Sequence, residues 1–188
     1  AAGVAIVLAV AGYKGWEQYQ TSRRIEDGAR FSTAKTLMEN GKTEDARALF
    51  DALGRESGTS YGDLARFHSA ALRAKAGNLA GAADDYGKIA ADSEITEPLR
   101  DLAVVLGALH AINNPSADVA SVNARLQPLS EAGNPWRHSA LEILGLIARK
   151  SGDLKTARDY FQRLVDDAEA ASGVRDRASQ MLAIMGSK

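Results

Sequence analysis

The chain has 188 residues, 45% of them hydrophobic and 25% charged, ordinary values for a globular protein with enough length to bury a sizeable core. Its 23 basic and 24 acidic side chains leave a formal net charge of −1, without the basic excess expected of a nucleic-acid binder. No cysteine is present, which excludes disulfides and thiolate metal sites, and four prolines with 6% aromatics argue against a sandwich or barrel.

The first segment, Ala1–Gly12, carries no charge and only small or aliphatic side chains. Crossing the hydrocarbon core takes about 20 apolar residues, so this run is short, but a start without methionine reads as a cut inside a longer apolar segment. Tyr13, Trp16 and Tyr19 recur every third residue with Lys14 among them, the composition of an interfacial belt. Residues 1–16 are therefore read as the C-terminal part of a transmembrane anchor. A signal peptide would end at a small-residue cleavage site, whereas here the aromatic stretch continues as helix. A signal-peptide remnant and a buried core helix are the competing readings.

Residues 17–27 read as a linker helix that merges into a repeated unit over 28–188. Turns at Gly41, Gly77, Asn114 and Gly152 lie 36, 37 and 38 residues apart. After three of them an alanine stands five residues on (Ala46, Ala82, Ala157), an aromatic nine on (Phe50, Tyr86, Phe161) and a large aliphatic twelve on (Leu53, Ile89, Leu164). Such a period marks a helical solenoid, in which stacked hairpins share a continuous core.

In the first unit Ile25, Ala29, Phe31, Ala34, Leu37 and Met38 supply inward positions, Gly41 ends the helix, and Thr43 is the expected N-cap of the second helix. Its stripe is Ala46, Leu49, Phe50 and Leu53. The second unit opens at Ser60 with Asp63 in a capping-box position, buries Leu64, Phe67, Ala71 and Ala74, and turns at Gly77-Asn78 into Leu79, Ala82, Ala83, Tyr86 and Ile89. Gly81 and Gly87 weaken that helix by about 1 kcal/mol each relative to alanine. The third opens at Thr96-Glu97-Pro98, with Leu99, Leu102, Val105, Leu106 and Leu109 inward. It diverges at Asn113-Asn114-Pro115, where Asn114 is the expected cap of a helix burying Val119, Val122, Leu126 and Leu129. That helix lacks the aromatic and is stopped by Pro128. The fourth runs from Asn134-Pro135 through Leu141, Leu144, Gly145, Ile147 and Ala148, turns at Gly152-Asp153, and continues through Ala157, Tyr160, Phe161, Leu164 and Val165. A last helix from about Val174 to Met185 caps the open end.

These residues carry a resemblance. Gly-(Asn/Asp)-Leu followed by Ala and then Tyr/Phe, with Ala34, Ala70, Gly107 and Gly145 on the preceding helices, resembles the tetratricopeptide repeat over about residues 28–170. The fold expected is all-α: a tetratricopeptide-like helical-hairpin solenoid with an N-terminal apolar membrane-anchor helix and a C-terminal capping helix. The architecture, with its exit segment Gly15-Trp16-Glu17-Gln18-Tyr19-Gln20, also resembles the YfgM-type ancillary subunits of the bacterial Sec translocon. That resemblance implies a single pass of the inner membrane, repeats in the periplasm, contact with the translocon or its chaperones, and no catalysis. The rival reading is a soluble scaffold whose apolar N-terminus packs in the solenoid or joins two copies, so a homodimer is expected of a truncated form.

Candidate chemistry is sparse. Gly58-Thr59-Ser60-Tyr61-Gly62 fits G-x-S-x-G, but a helix end and a polar loop precede Ser60 where a nucleophile elbow needs a strand, so Ser60 reads as a helix cap. His68, His110 and His138 lie in three different units, none with ligand spacing to another, and read as packed or surface histidines. Asp84-Asp85 and Asp166-Asp167 are adjacent pairs that diverge on a helix and read as solvated faces. No cofactor, metal or small-molecule substrate is expected. Counting back from each turn nominates Phe31, Lys35, Phe67, Lys75, Arg149 and Lys150 as a partner-binding face suited to an extended polypeptide. Against it stands the reading that both phenylalanines are core and the cations solvated.

Overall fold

The structure, a computed structural model, describes residues 2–114 and 117–186. Among these it forms helices α1 (Ala2–Glu39), α2 (Thr43–Glu56), α3 (Ser60–Lys75), α4 (Leu79–Ala90), α5 (Glu97–Ala111), α6 (Val119–Leu126), α7 (Arg137–Lys150), α8 (Leu154–Asp166) and α9 (Ser172–Gly186), with a 3₁₀ turn at Gln127–Ser130 and no strand. The fold is all-α. The chain divides into two compact units, the first ending at Arg73 and the second beginning at Ala74.

In the first unit α1 runs unbroken through the expected anchor, linker and first repeat helix. Among the described residues no helix is long and apolar enough to cross a membrane, so α1 as it stands lends the anchor no support. Residues 10–26 are exposed apart from Gln20, and Ile25, expected inward, is 70% exposed. Packing begins at Asp27, whose buried carboxylate accepts hydrogen bonds from the Ser57 and Thr59 hydroxyls. Beyond it Ala34, Ala46, Phe50, Leu53, Ala65 and Leu72 form one cluster. Thr43 is the first residue of α2 and not its cap; Lys42 precedes it without a side-chain capping bond.

The buried face of α3 also departs from expectation. Leu64 and Ala71 are exposed, while Gly62, Ala65, Ser69 and Leu72 are buried. Small residues bring α2 and α3 together. A Cβ on Gly62 would stand 2.5 Å from the Ser57 carbonyl oxygen, one on Gly54 would stand 2.7 Å from Arg66 Cγ, and the Ser69 hydroxyl donates to Asp51. Leucine at this seam would hold the helices apart, so Leu64 points elsewhere.

In the second unit the expected turn glycines Gly77 and Gly152 have φ of +87° and +83°, where an L side chain is strained. Gly133, not foreseen as a turn, has φ +89° ahead of α7. Side-chain caps follow the turns: Asn78 accepts from Gly81 N–H, Asp153 from Thr156 N–H, and Asp118 from Ala120 and Ser121 N–H. The last corrects the expected Asn114 start, whose Pro115 lies outside the described residues. Asp118, four residues later, caps α6 and leaves Val119 exposed.

With α6 re-registered on Asp118, the four second helices share one pattern. Eight residues after each N-cap stand Phe50, Tyr86, Leu126 and Phe161, all buried. Leu126 therefore fills the ring position in the divergent unit. Four residues after each cap stand Ala46, Ala82, Val122 and Ala157. The alanines are fully buried, and Val122 is half-buried.

On α5 the leucines again give way to small residues. Ala103, Val105, Ala108 and Ala111 are buried, while Leu109 is exposed and Leu99, Leu102 and Leu106 are half-buried. The expected stripe of α7 is borne out at Leu141, Leu144, Gly145 and Ile147. Helix α9 covers α8, burying Ala178 and Met185 against Leu141, Ala157, Phe161 and Leu164, and Arg177 clasps Glu142 through two bonds of 2.6 and 2.7 Å.

Candidate interaction surface

Val122 is the bulkiest residue at the four closest-approach positions, and α6 is the shortest of the second helices. Together they leave a groove of about 250 Å³ in the second unit, floored by α5 and walled by α4 and α6. Its floor is small and apolar, with Val104, Gly107 and Ala111 from α5. Ala80, Ala83 and Gly87 line the α4 wall at helical spacing, and Ser121, Val122 and Arg125 line the other. A Cβ on Gly87 would lie 3.6 Å from Arg125 Nη1, so the guanidinium spans the mouth towards α4. Asp84 and Asp118 also line the groove. Among the described residues Asp84 and Arg125 have no ion-pair partner, whereas neighbouring Asp85 is paired with Lys88 at 3.3 Å.

The residues nominated from sequence fall elsewhere. In the first unit Phe31 is half-buried, its ring 5.4 Å from Phe50, 5.6 Å from Tyr61 and 5.3 Å from His68. Lys35 is exposed beside this cluster, and Phe67 is buried at 8% exposure. Lys75, Arg149 and Lys150 are exposed residues of the second unit, with the Lys150 ammonium donating to the Ile112 carbonyl. Phe31 and Lys35 share a neighbourhood, and Arg149 adjoins Lys150 at the end of α7. The groove residues escaped the sequence reading because alanine and glycine in a helix carry no signature of their own. The available signal was Asp118, a standard cap immediately before an apolar pair.

The polar clusters are structural in geometry. His68 stacks on Phe50 at 4.8 Å and 12°, and burial, reinforced by the Lys35 charge, lowers its pKa from the ordinary 6.5. His110 stacks on Tyr86 at 5.7 Å and 9°; burial lowers the imidazole pKa and raises that of the phenol. His138 Nε2 meets the Asp167 carboxylate at 3.0 Å, where Arg137 also binds. The Glu169 backbone N–H chiefly, with His138 and Arg137 adding, holds the Asp167 carboxyl below its usual value. Ser60 is the exposed first residue of α3, and the Thr59 hydroxyl before it accepts the Tyr61 N–H. No group of three His, Cys, Asp or Glu that could hold a metal ion occurs among the described residues.

No curated protein and no solved structure matches this sequence. The family model of the tetratricopeptide repeat-like domain matches residues 1–183, and such domains are typically non-catalytic modules that bind other proteins. Paired helices closed on alanine and glycine, glycine turns at Gly41, Gly77 and Gly152, and a buried ring or leucine eight residues after each cap agree with that match. The chain belongs to the tetratricopeptide repeat-like domain family.

Proposed function

We propose that this chain is a non-catalytic protein-interaction module held at a bacterial inner membrane by its N-terminal helix, with its repeats in the periplasm beside the translocon or its chaperones, as in the YfgM-type proteins. The observation that carries the tether is the aromatic collar on α1. Tyr13, Trp16 and Tyr19 are all exposed, Trp16 at 61%, on a helix continuous with the uncharged segment before it. Three-residue steps turn back by about 60° each on a helix, so the rings cover roughly a third of the circumference. Rings at this level with Lys14 beside them match the headgroup zone at the end of a span. The tether requires about eight more apolar residues ahead of Ala1 to complete that span.

The test is fractionation of the full-length gene product, followed by photo-crosslinking from the exposed positions Lys35, Lys75 and Arg149 in the native membrane. Resistance to alkaline extraction and discrete crosslinks to envelope proteins are expected. Release into the soluble fraction as a dimer would replace the tether with self-association through the collar. Absence of crosslinks from all three positions would overturn the nominated face.

A further inference from the structure

We propose that the groove between α4 and α6 binds an extended peptide of about four residues, with small apolar side chains at its centre, a basic side chain at one end and an acidic one at the other. The dimensions select an extended chain. From Ala103 to Ala111 the floor helix advances about 12 Å, which an extended segment covers in about four residues at 3.3 Å each. A helix, 10–12 Å thick with its side chains, is too wide for a groove of about 250 Å³. Gly87 and Ala83 keep the α4 wall low, so a peptide backbone approaches closely and only alanine- to valine-sized side chains seat beneath it. The Ser121 hydroxyl on the α6 wall serves as a donor or acceptor for that backbone.

Charge fixes the ends. Asp118 stands at the start of α6 and Arg125 in its last turn, about 10 Å apart along the helix, with Asp84 facing them from α4. Residues one and four of an extended tetrapeptide have nearly the same separation. Among the described residues Asp84 and Arg125 have no ion partner, so neither gives up such a pair on binding. A basic group placed by Asp118 and Asp84, and an acidic one by Arg125, completes both.

This inference rests on the reading of the chain as an interaction module. Its test uses the full chain, isotopically labelled, titrated with capped Lys-Ala-Val-Glu and Glu-Ala-Val-Lys peptides to cover both chain directions, and with neutral Gln-Ala-Val-Gln as control. One charged peptide is expected to shift the amides of Ala83, Gly87, Gly107 and Ser121 saturably. Arg125→Glu should weaken it about three- to tenfold, and a Lys-Ala-Val-Lys peptide should recover the loss. Gly87→Leu, which fills the groove from α4 where the nearest atom is the tip of a flexible arginine, should abolish the shifts while a thermal midpoint no lower than that of the parent reports an intact fold. No saturable shift in this region up to about 5 mM peptide, or equal affinity for the neutral peptide and for Arg125→Glu, would overturn the proposal. If both charged peptides fail while membrane crosslinks persist, the groove assignment falls and the module reading stands.

Discussion

Gly145 and Phe161 show how a single absent methyl shapes this fold. The Phe161 ring is fully buried, and a Cβ on Gly145 would stand 2.8 to 3.0 Å from three of its atoms. The ring cannot retreat, because Leu141, Leu164 and Ala178 pack in the same cluster. Gly145→Ala should therefore cost about 1–3 kcal/mol despite alanine's better helix propensity. Phe161→Ala should cost about 3–5 kcal/mol through the cavity it leaves. Urea unfolding of both, and of the double variant, measures this; the double should cost less than the sum, because removing the ring relieves the clash. Asp27 is the contrary case: an acid next to the exposed Glu26 and indistinguishable from it in sequence, yet buried because loop hydroxyls from Ser57 and Thr59 close over it.

At the scale of the element, α8 and α9 depend on each other. Without α9 the faces of Phe161, Leu164 and Leu141 would meet water, and the burial of Ala178 and Met185 would be forfeited. Truncation after Ala170 should lower stability by about 2–4 kcal/mol and raise the binding of an apolar-surface dye, read by thermal melts with and without α9. This end of the chain was legible because its large apolar residues recur at helical spacing on one face and that face is the buried one. On α3 and α5 the expected inward positions hold at Phe67 and Val105 but fail at Leu64 and Leu109, for a physical reason. Their contacts are closed by Gly62, Ala65, Ala103 and Ala108, and close approach excludes Leu64 and Leu109, the residues a hydrophobic pattern ranks first. The groove was illegible for a related reason. It depends on Val122 standing where three other helices carry alanine, and that alignment appears only once Asp118 is recognised as the cap.

For the whole molecule, the two stacked imidazoles make acid the disruptive direction. His68 in the first unit and His110 in the second both have folded-state pKa values below the 6.5 of the free side chain, chiefly through burial. Between those lowered values and 6.5 the unfolded chain binds more protons, so this stability is present above 6.5 and lost as pH falls through the folded values. Asp167 and Asp153, also lowered, act with the same sign but only below 3.8, a separate window. The thermal midpoint should thus be lower at about pH 5 than at about pH 7.5, and replacing both histidines by phenylalanine should flatten the difference. The long exposed stretch of α1 has another kind of effect. Residues 10–26 carry the helix about 25 Å without a buried side chain, up to Asp27. Inserting one residue there would lengthen it by only about 1.5 Å but rotate everything upstream by about 100°, whereas eleven would add about 16 Å and nearly restore the original bearing. The segment behaves as a keyed shaft: a change in its length alters azimuth far more than reach.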